Sequence, residues 1–186
     1  MTGLFSRREA LLSLGGGLAL ALGKAGAARA QAPSFFDYGA APDFVGIEQW
    51  LNSPPLALAA LRGKVVLVDF WTYSCINCLR TLPYVIGWHE KYKARGLVVV
   101  GVHTPEFGYE RLTANVRRAI GRYGIGYPVA QDNAYATWKA YDNAYWPATY
   151  LVDHRGHIVL KHVGEGDYEE TDRAIVALIE AAGSEG

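Results

Sequence analysis

The chain has 186 residues, 51% of them hydrophobic and 19% charged, with 18 basic side chains against 18 acidic ones. That length suits one globular domain with a full core, the neutral balance excludes the basic footprint of a nucleic-acid binder, and 12% aromatics exclude a disordered chain. Two cysteines are too few for a disulfide scaffold, and their close spacing, Cys75 and Cys78, points to local chemistry instead.

Residues 1–30 have the order of an export signal. Ser6-Arg7-Arg8-Glu9 leads into the apolar stretch Ala10–Leu22, and a small-residue segment follows, ending Ala28-Arg29-Ala30. The paired arginines, the weakly hydrophobic Gly15-Gly16-Gly17 and the basic Lys24 and Arg29 point to the twin-arginine route. The alternative, an uncleaved anchor, meets the difficulty that the apolar stretch is well short of the roughly 20 residues needed to span a bilayer. Cleavage after Ala30 removes Arg7, Arg8, Lys24 and Arg29 against Glu9 alone. Residues 31–186 are then expected to be a single, mildly acidic, soluble domain in a periplasmic or otherwise extracytoplasmic, oxidising compartment, without stable membrane insertion.

Pro42-Asp43-Phe44 reads as a lead-in that packs one aromatic on the domain. Gly46–Leu61 holds two short apolar runs around Asn52-Ser53-Pro54-Pro55, which predicts a small N-terminal β-hairpin, or an edge strand followed by a short helical turn. Val65–Trp71 is an apolar run broken only by Asp69, as in a strand buried on both faces. Helical spacing covers 76–94, with Pro83 inside it expected to kink it and Gly96 expected to stop it. A second buried strand follows at 97–102, a helix at 109–122, a short strand at 128–130 and an aromatic-rich helix at 133–141. The runs 147–153 and 158–163 alternate around His154-Arg155-Gly156-His157 as a β-hairpin, and an amphipathic helix at 167–182 closes the chain. Strands and helices that alternate with crossovers of this length predict an α/β fold with parallel pairings.

Cys75-Ile76-Asn77-Cys78 follows a buried strand and opens a helix. Unpaired N–H groups and the macrodipole at a helix start favour an anion, hence a thiolate at Cys75. Cys78, one turn further on, can attack a mixed disulfide formed there. A structural metal would need about four ligands and the motif supplies two, with His154 and His157 as paper candidates beside a glycine turn; no metal and no cofactor is expected. A purely structural bridge over so small a ring would remove little chain entropy. Asp69, a carboxylate inside an apolar strand, is expensive to bury, so its pKa should rise far enough to let it take and return a proton. A carboxyl satisfied locally for structural reasons is the plainer alternative.

Val68-Asp69-Phe70-Trp71 followed by the Cys-x-x-Cys motif, with Trp146-Pro147 opening a later strand, resembles the thioredoxin superfamily. The run from Phe70 to Val85, with Val102-His103-Thr104-Pro105-Glu106-Phe107 and Gly164-Glu165-Gly166-Asp167-Tyr168, looks like the TlpA/ResA-like redoxins, above all the extracytoplasmic thioredoxin-like domain of DipZ-type proteins. The resemblance implies a thioredoxin-like fold, a central mixed sheet flanked by helices. It implies redox-active Cys75 and Cys78, a proton-shuttling Asp69, a cis-proline at Pro147 that leaves the Trp146 backbone free for an incoming peptide, and Glu106 as an acidic tuner of the thiols. It also implies protein disulfide or thiol clients and a membrane electron donor of the CcdA/DsbD type. Ile76-Asn77 stands where ordinary thioredoxin has Gly-Pro, so the potential does not carry over.

The leading expectation is therefore an exported thiol-disulfide oxidoreductase that reduces protein disulfides, with cytochrome c maturation as one task. Two readings compete with it. Thr72-Tyr73-Ser74-Cys75 matches the T-x-x-C of a peroxiredoxin-like peroxidase, although Val68 stands where that family has proline. A holdase for thiol-bearing clients would use an exposed aromatic rim of Trp71, Tyr73, Tyr145 and Trp146.

Overall fold

The computed structural model describes residues 35–184, so the export signal read in 1–30 lies outside the described residues. In chain order the elements are β1 (Gln49–Leu51), β2 (Val65–Trp71), α1 (Ile76–Tyr92), β3 (Leu97–His103), α2 (Thr113–Tyr123), β4 (Val129–Gln131), α3 (Ala136–Ala140), β5 (Ala148–Val152), β6 (Ile158–Val163) and α4 (Tyr168–Ser184), with single 3-10 turns at Leu58–Leu61, Lys93–Arg95 and Gly108–Arg111. The sheet order is β1-β4-β3-β2-β5-β6. β2, β3 and β4 are parallel, and β1, β5 and β6 each join their neighbour antiparallel. This is the mixed six-stranded sheet flanked by helices that the thioredoxin-like resemblance implies.

β2 is buried at every position, as its continuous apolar run predicts. Its alternation sends Val65, Leu67 and Trp71 into one core, shared with Val85 and Trp88 of α1 and Ile175 and Leu178 of α4. Val66, Val68 and Phe70 enter the other, with Trp138, Tyr141 and Tyr150. Asp69 falls between Leu67 and Trp71 and therefore belongs to the α1 face. Its register partner on β3 is Gly101, where a Cβ would come within 2.9 Å of the Trp71 indole nitrogen and 3.0 Å of the Tyr127 ring. Only glycine lets both rings close over the sheet at that level.

The N-terminal segment takes the second of its two expected forms. No β-hairpin extension forms, because β1 pairs with β4 instead of with a neighbour in sequence. Asn52, at φ 63°, turns the chain away after three strand residues, and its amide donates to the carbonyls of Ile125 and Tyr127 at 2.9 and 3.0 Å, which ties that turn to the segment entering β4. Helix α1 continues through Pro83 and ends near Gly96, at φ 104°. The helix expected over 109–122 divides into a tight turn and α2, since the Glu110 carboxylate folds back onto the backbone N–H groups of Glu106 and Phe107. α3 is shorter than expected. Asp132 accepts from the N–H groups of Ala136 and Trp138, both at 2.8 Å, and so sets where the helix begins.

Candidate active site

The cysteines sit where β2 ends and α1 begins. Cys75 is the N-cap of α1, in extended backbone, and its sulfur accepts from the Cys78 N–H at 3.4 Å. The thiol of Cys78, the N–H of Cys78 and the N–H of Asn77 favour the Cys75 thiolate and bring its pKa down to about 6, while partial burial and the nearby Glu106 oppose the shift. Cys78 is buried, and its thiol goes the other way. Its hydrogen bond to the Cys75 sulfur, its burial and the charges of Cys75 and Asp69 all hold it protonated well above the ordinary thiol range. Both cysteines are free. The arrangement separates a half-exposed thiolate from a sheltered, protonated thiol.

Asp69 is the buried carboxyl whose charge acts on that thiol. It is 2% exposed and lies on the face of β2 that α1 covers. Burial raises its pKa to about 7, against one weak hydrogen bond from the Thr149 hydroxyl at 3.5 Å that favours the charged form. Thr149 is its register partner on β5, and the Tyr127 hydroxyl, buried with no hydrogen-bond partner among the described residues, feels its charge.

Pro147 follows a cis peptide bond from Trp146. Ala148 pairs with Phe70, so Pro147 stands at the level of Trp71, the last residue before the cysteine turn. Trp146 is half-buried. Its indole N–H donates to the Thr104 carbonyl at 3.1 Å and its ring packs on Trp138, leaving an edge at the surface. Tyr73 is half-buried and Tyr145 is 64% exposed. Trp71 corrects the expected rim: it is 1% exposed, enclosed by the core and set edge-on to His103 at 5.3 Å, so no client can touch it. The continuous apolar run of β2 already placed it inside. His154 and His157 lie at the β5–β6 turn, beside Val152, which pairs with Val66 at the opposite end of β2 from the cysteines. His157 pairs with Asp37 there at 2.9 Å.

Two residues at this edge were not singled out from the sequence. Glu110 is fully buried and is hydrogen-bonded to Ser74, the residue before Cys75. One carboxylate oxygen accepts from the Ser74 hydroxyl at 2.5 Å and the other from the N–H groups of Glu106 and Phe107 at 2.6 and 2.9 Å. Burial alone would raise its pKa; these hydrogen bonds, with one from Thr72, outweigh it and hold the carboxyl below its ordinary value. Glu106, the acidic residue expected here, is exposed; it contributes a backbone N–H to Glu110 and a repulsive charge to Cys75. His103 is the second. Burial lowers its pKa to about 4, so it is neutral at pH 7, with its ring stacked on Tyr73 and its Nε2 3.3 Å from the Thr72 hydroxyl. Position after β3 was the only sequence signal for Glu110, and Glu106 answers it equally well.

Known proteins resemble the chain in sequence and in fold. A family model described as Redoxin matches residues 38–179. The chain is 52% identical over 147 residues to the protein DipZ of Mycobacterium bovis, an alignment that covers 77% of this chain and 21% of DipZ. It thus spans about a fifth of the length of that relative. It is 30% identical over 125 residues to the thiol-disulfide oxidoreductase YkuV of Bacillus subtilis, covering 67% of this chain and 82% of YkuV. Among solved structures, a thiol:disulfide interchange protein of Chlorobium tepidum assigned as DsbE superposes with a TM-score of 0.65 at 26% identity, over 78% of this chain and 99% of that one.

Proposed function

This chain belongs to the redoxin family and has its thioredoxin-like fold, and from that premise we propose that it is an exported thiol-disulfide oxidoreductase that reduces protein disulfides through Cys75 and Cys78. The observation that carries the reading is the split between the two thiols, one lowered to about 6 at a helix start and the other buried and held protonated. In this reading the Cys75 thiolate attacks one sulfur of a client disulfide, forming a mixed disulfide and releasing the first client thiolate. Asp69 then takes the Cys78 proton, and Cys78 attacks the Cys75 sulfur. The second client thiolate leaves, and the client has gained two electrons as Cys75 and Cys78 become a disulfide. A separate dithiol must restore them, and a membrane donor of the CcdA/DsbD type has the chemistry required. Pro147 and the Trp146 backbone would receive the client strand.

The twin-arginine signal read in 1–30 supports export, and the paired cysteines of a cytochrome c precursor are a client of matching chemistry. Among the described residues no helix is long and apolar enough to cross a membrane. The test is the reduction potential of the Cys75–Cys78 couple at equilibrium with defined thiol buffers. A value near about −270 mV is expected of a reductase, whereas about −120 mV would make the protein a disulfide donor and reverse the proposed direction.

A further inference from the structure

Beside the cysteine turn lies a cavity of about 520 Å³ between the Tyr73 loop and α2, lined by Tyr73, Tyr109, Tyr123, Asn115, Arg118 and Arg122. Its charge is one-sided. α2 reads Thr-Ala-Asn-Val-Arg-Arg-Ala-Ile-Gly-Arg-Tyr, with three arginines and no acid. None of the ion pairs among the described residues uses Arg117, Arg118 or Arg122. Arg118 is steadied by the Asn115 side-chain oxygen, and Arg122 lies over the Tyr123 ring at 5.6 Å. Both guanidinium groups therefore keep donors free for an anion.

The acids nearby do not compete for them. Glu110 is turned away into its hydrogen bonds with Ser74 and the backbone, and Glu106 acts on Cys75 and Tyr135 without lining the cavity. Hydrogen bonds tie the cavity's lining to the cysteine turn. The Tyr73 hydroxyl donates to the Tyr109 carbonyl at 2.9 Å, and the Tyr109 hydroxyl donates to Ser74, the residue before Cys75, at 3.2 Å. A chain held against these tyrosines is brought to the loop that carries Cys75.

We propose that this groove is a client-specificity site that binds an acidic stretch of polypeptide flanking the client's disulfide, its carboxylates on Arg118 and Arg122 and its backbone along Tyr73 and Tyr109. The proposal rests on the disulfide exchange proposed above, and it names the class of protein on which that exchange acts fastest at low concentration.

The experiment uses two peptides of equal length that share one Cys–Cys disulfide, flanked by Asp and Glu in one and by Asn and Gln in the other. Fluorescence anisotropy of labelled copies carrying serine for cysteine reads binding without redox chemistry. The acidic peptide should bind at least about fivefold more tightly at low salt, with the advantage lost near 0.5 M salt. The pair R118Q/R122Q should abolish the preference, while R95Q/R173Q, equal in net charge but away from the groove, should retain it. With the disulfide peptides and pre-reduced protein, half-saturation should differ by the same factor and the limiting rate should not. Equal binding of both peptides, or equal loss of preference in the two double variants, overturns the groove. Peptides reduced at equal half-saturation would likewise overturn it while leaving the oxidoreductase intact. Arg118-dependent binding without any disulfide reduction would uphold the groove and overturn the oxidoreductase reading instead.

Discussion

Asp69 beneath α1 and Glu110 in the turn after β3 are both sealed from solvent, 2% and 0% exposed, yet their pKa values move in opposite directions. Asp69 has apolar neighbours and a single distant hydroxyl, so burial decides and its proton is held to about pH 7. Glu110 has the Ser74 hydroxyl and two backbone N–H groups at 2.9 Å or less, so hydrogen bonds decide and it stays charged. Burial sets the stakes for a carboxyl, while the supply of donors sets its charge. The two outcomes leave a protonatable group whose charge reaches the Cys78 thiol, and a fixed anion that fastens Ser74, the residue before Cys75.

The largest effect that would break this contrast is on the Asp69 side. Its folded pKa of about 7 lies above the unfolded value of 3.8, so stability is fully present below about pH 4 and is lost as pH rises to about 7. Asp69→Asn removes that loss. Relative to the wild type the variant should gain up to about 4 kcal/mol between pH 4 and pH 8 in urea unfolding. Resolution of a mixed disulfide should slow at least about tenfold and lose its inflection near pH 7, as measured by stopped-flow release of a client thiol.

Glu110 should behave in the opposite sense. Its folded pKa lies below the ordinary 4.5, so its contribution is present above that pH and is lost only in stronger acid. Glu110→Ala strands the hydroxyls and backbone N–H groups that now bond it and should cost about 3 kcal/mol at pH 7, with the gap to wild type closing in acid. Ser74→Ala removes one of these bonds and should cost about 1 kcal/mol by the same measurement. If Glu110→Ala instead gained stability with rising pH, as Asp69→Asn should, the two carboxylates would not differ in kind.

The difference between these regions also explains what could be read from the sequence. Asp69 stands out because one acid interrupts an apolar run, and the cysteine motif because it sits between such a strand and a helix. Those are local patterns, and the α/β alternation and the β5–β6 hairpin follow from patterns of the same kind, whereas the thioredoxin-like fold rested on the family resemblance. Glu110 resembles any acid in a first helical turn until Ser74, distant in sequence, is brought against it. The resembling run after β3 pointed to Glu106 alone, and the tight turn at Gly108–Arg111, which brings Glu110 against Ser74, has no periodic signature. The N-terminal hairpin failed for a related reason: the partner of β1 is fixed by Asn52 reaching the carbonyls before β4, a contact that no neighbouring residue announces.

The chemistry of the cysteine turn depends on Cys75 being the thiolate and Cys78 the sheltered thiol. Alkylation of the reduced protein by iodoacetamide from pH 4 to pH 10, with each site quantified by peptide mass spectrometry, tests it directly. Cys75 should be modified with a midpoint near pH 6 while Cys78 resists throughout. A shared midpoint near pH 9, or modification of Cys78 first, would contradict it.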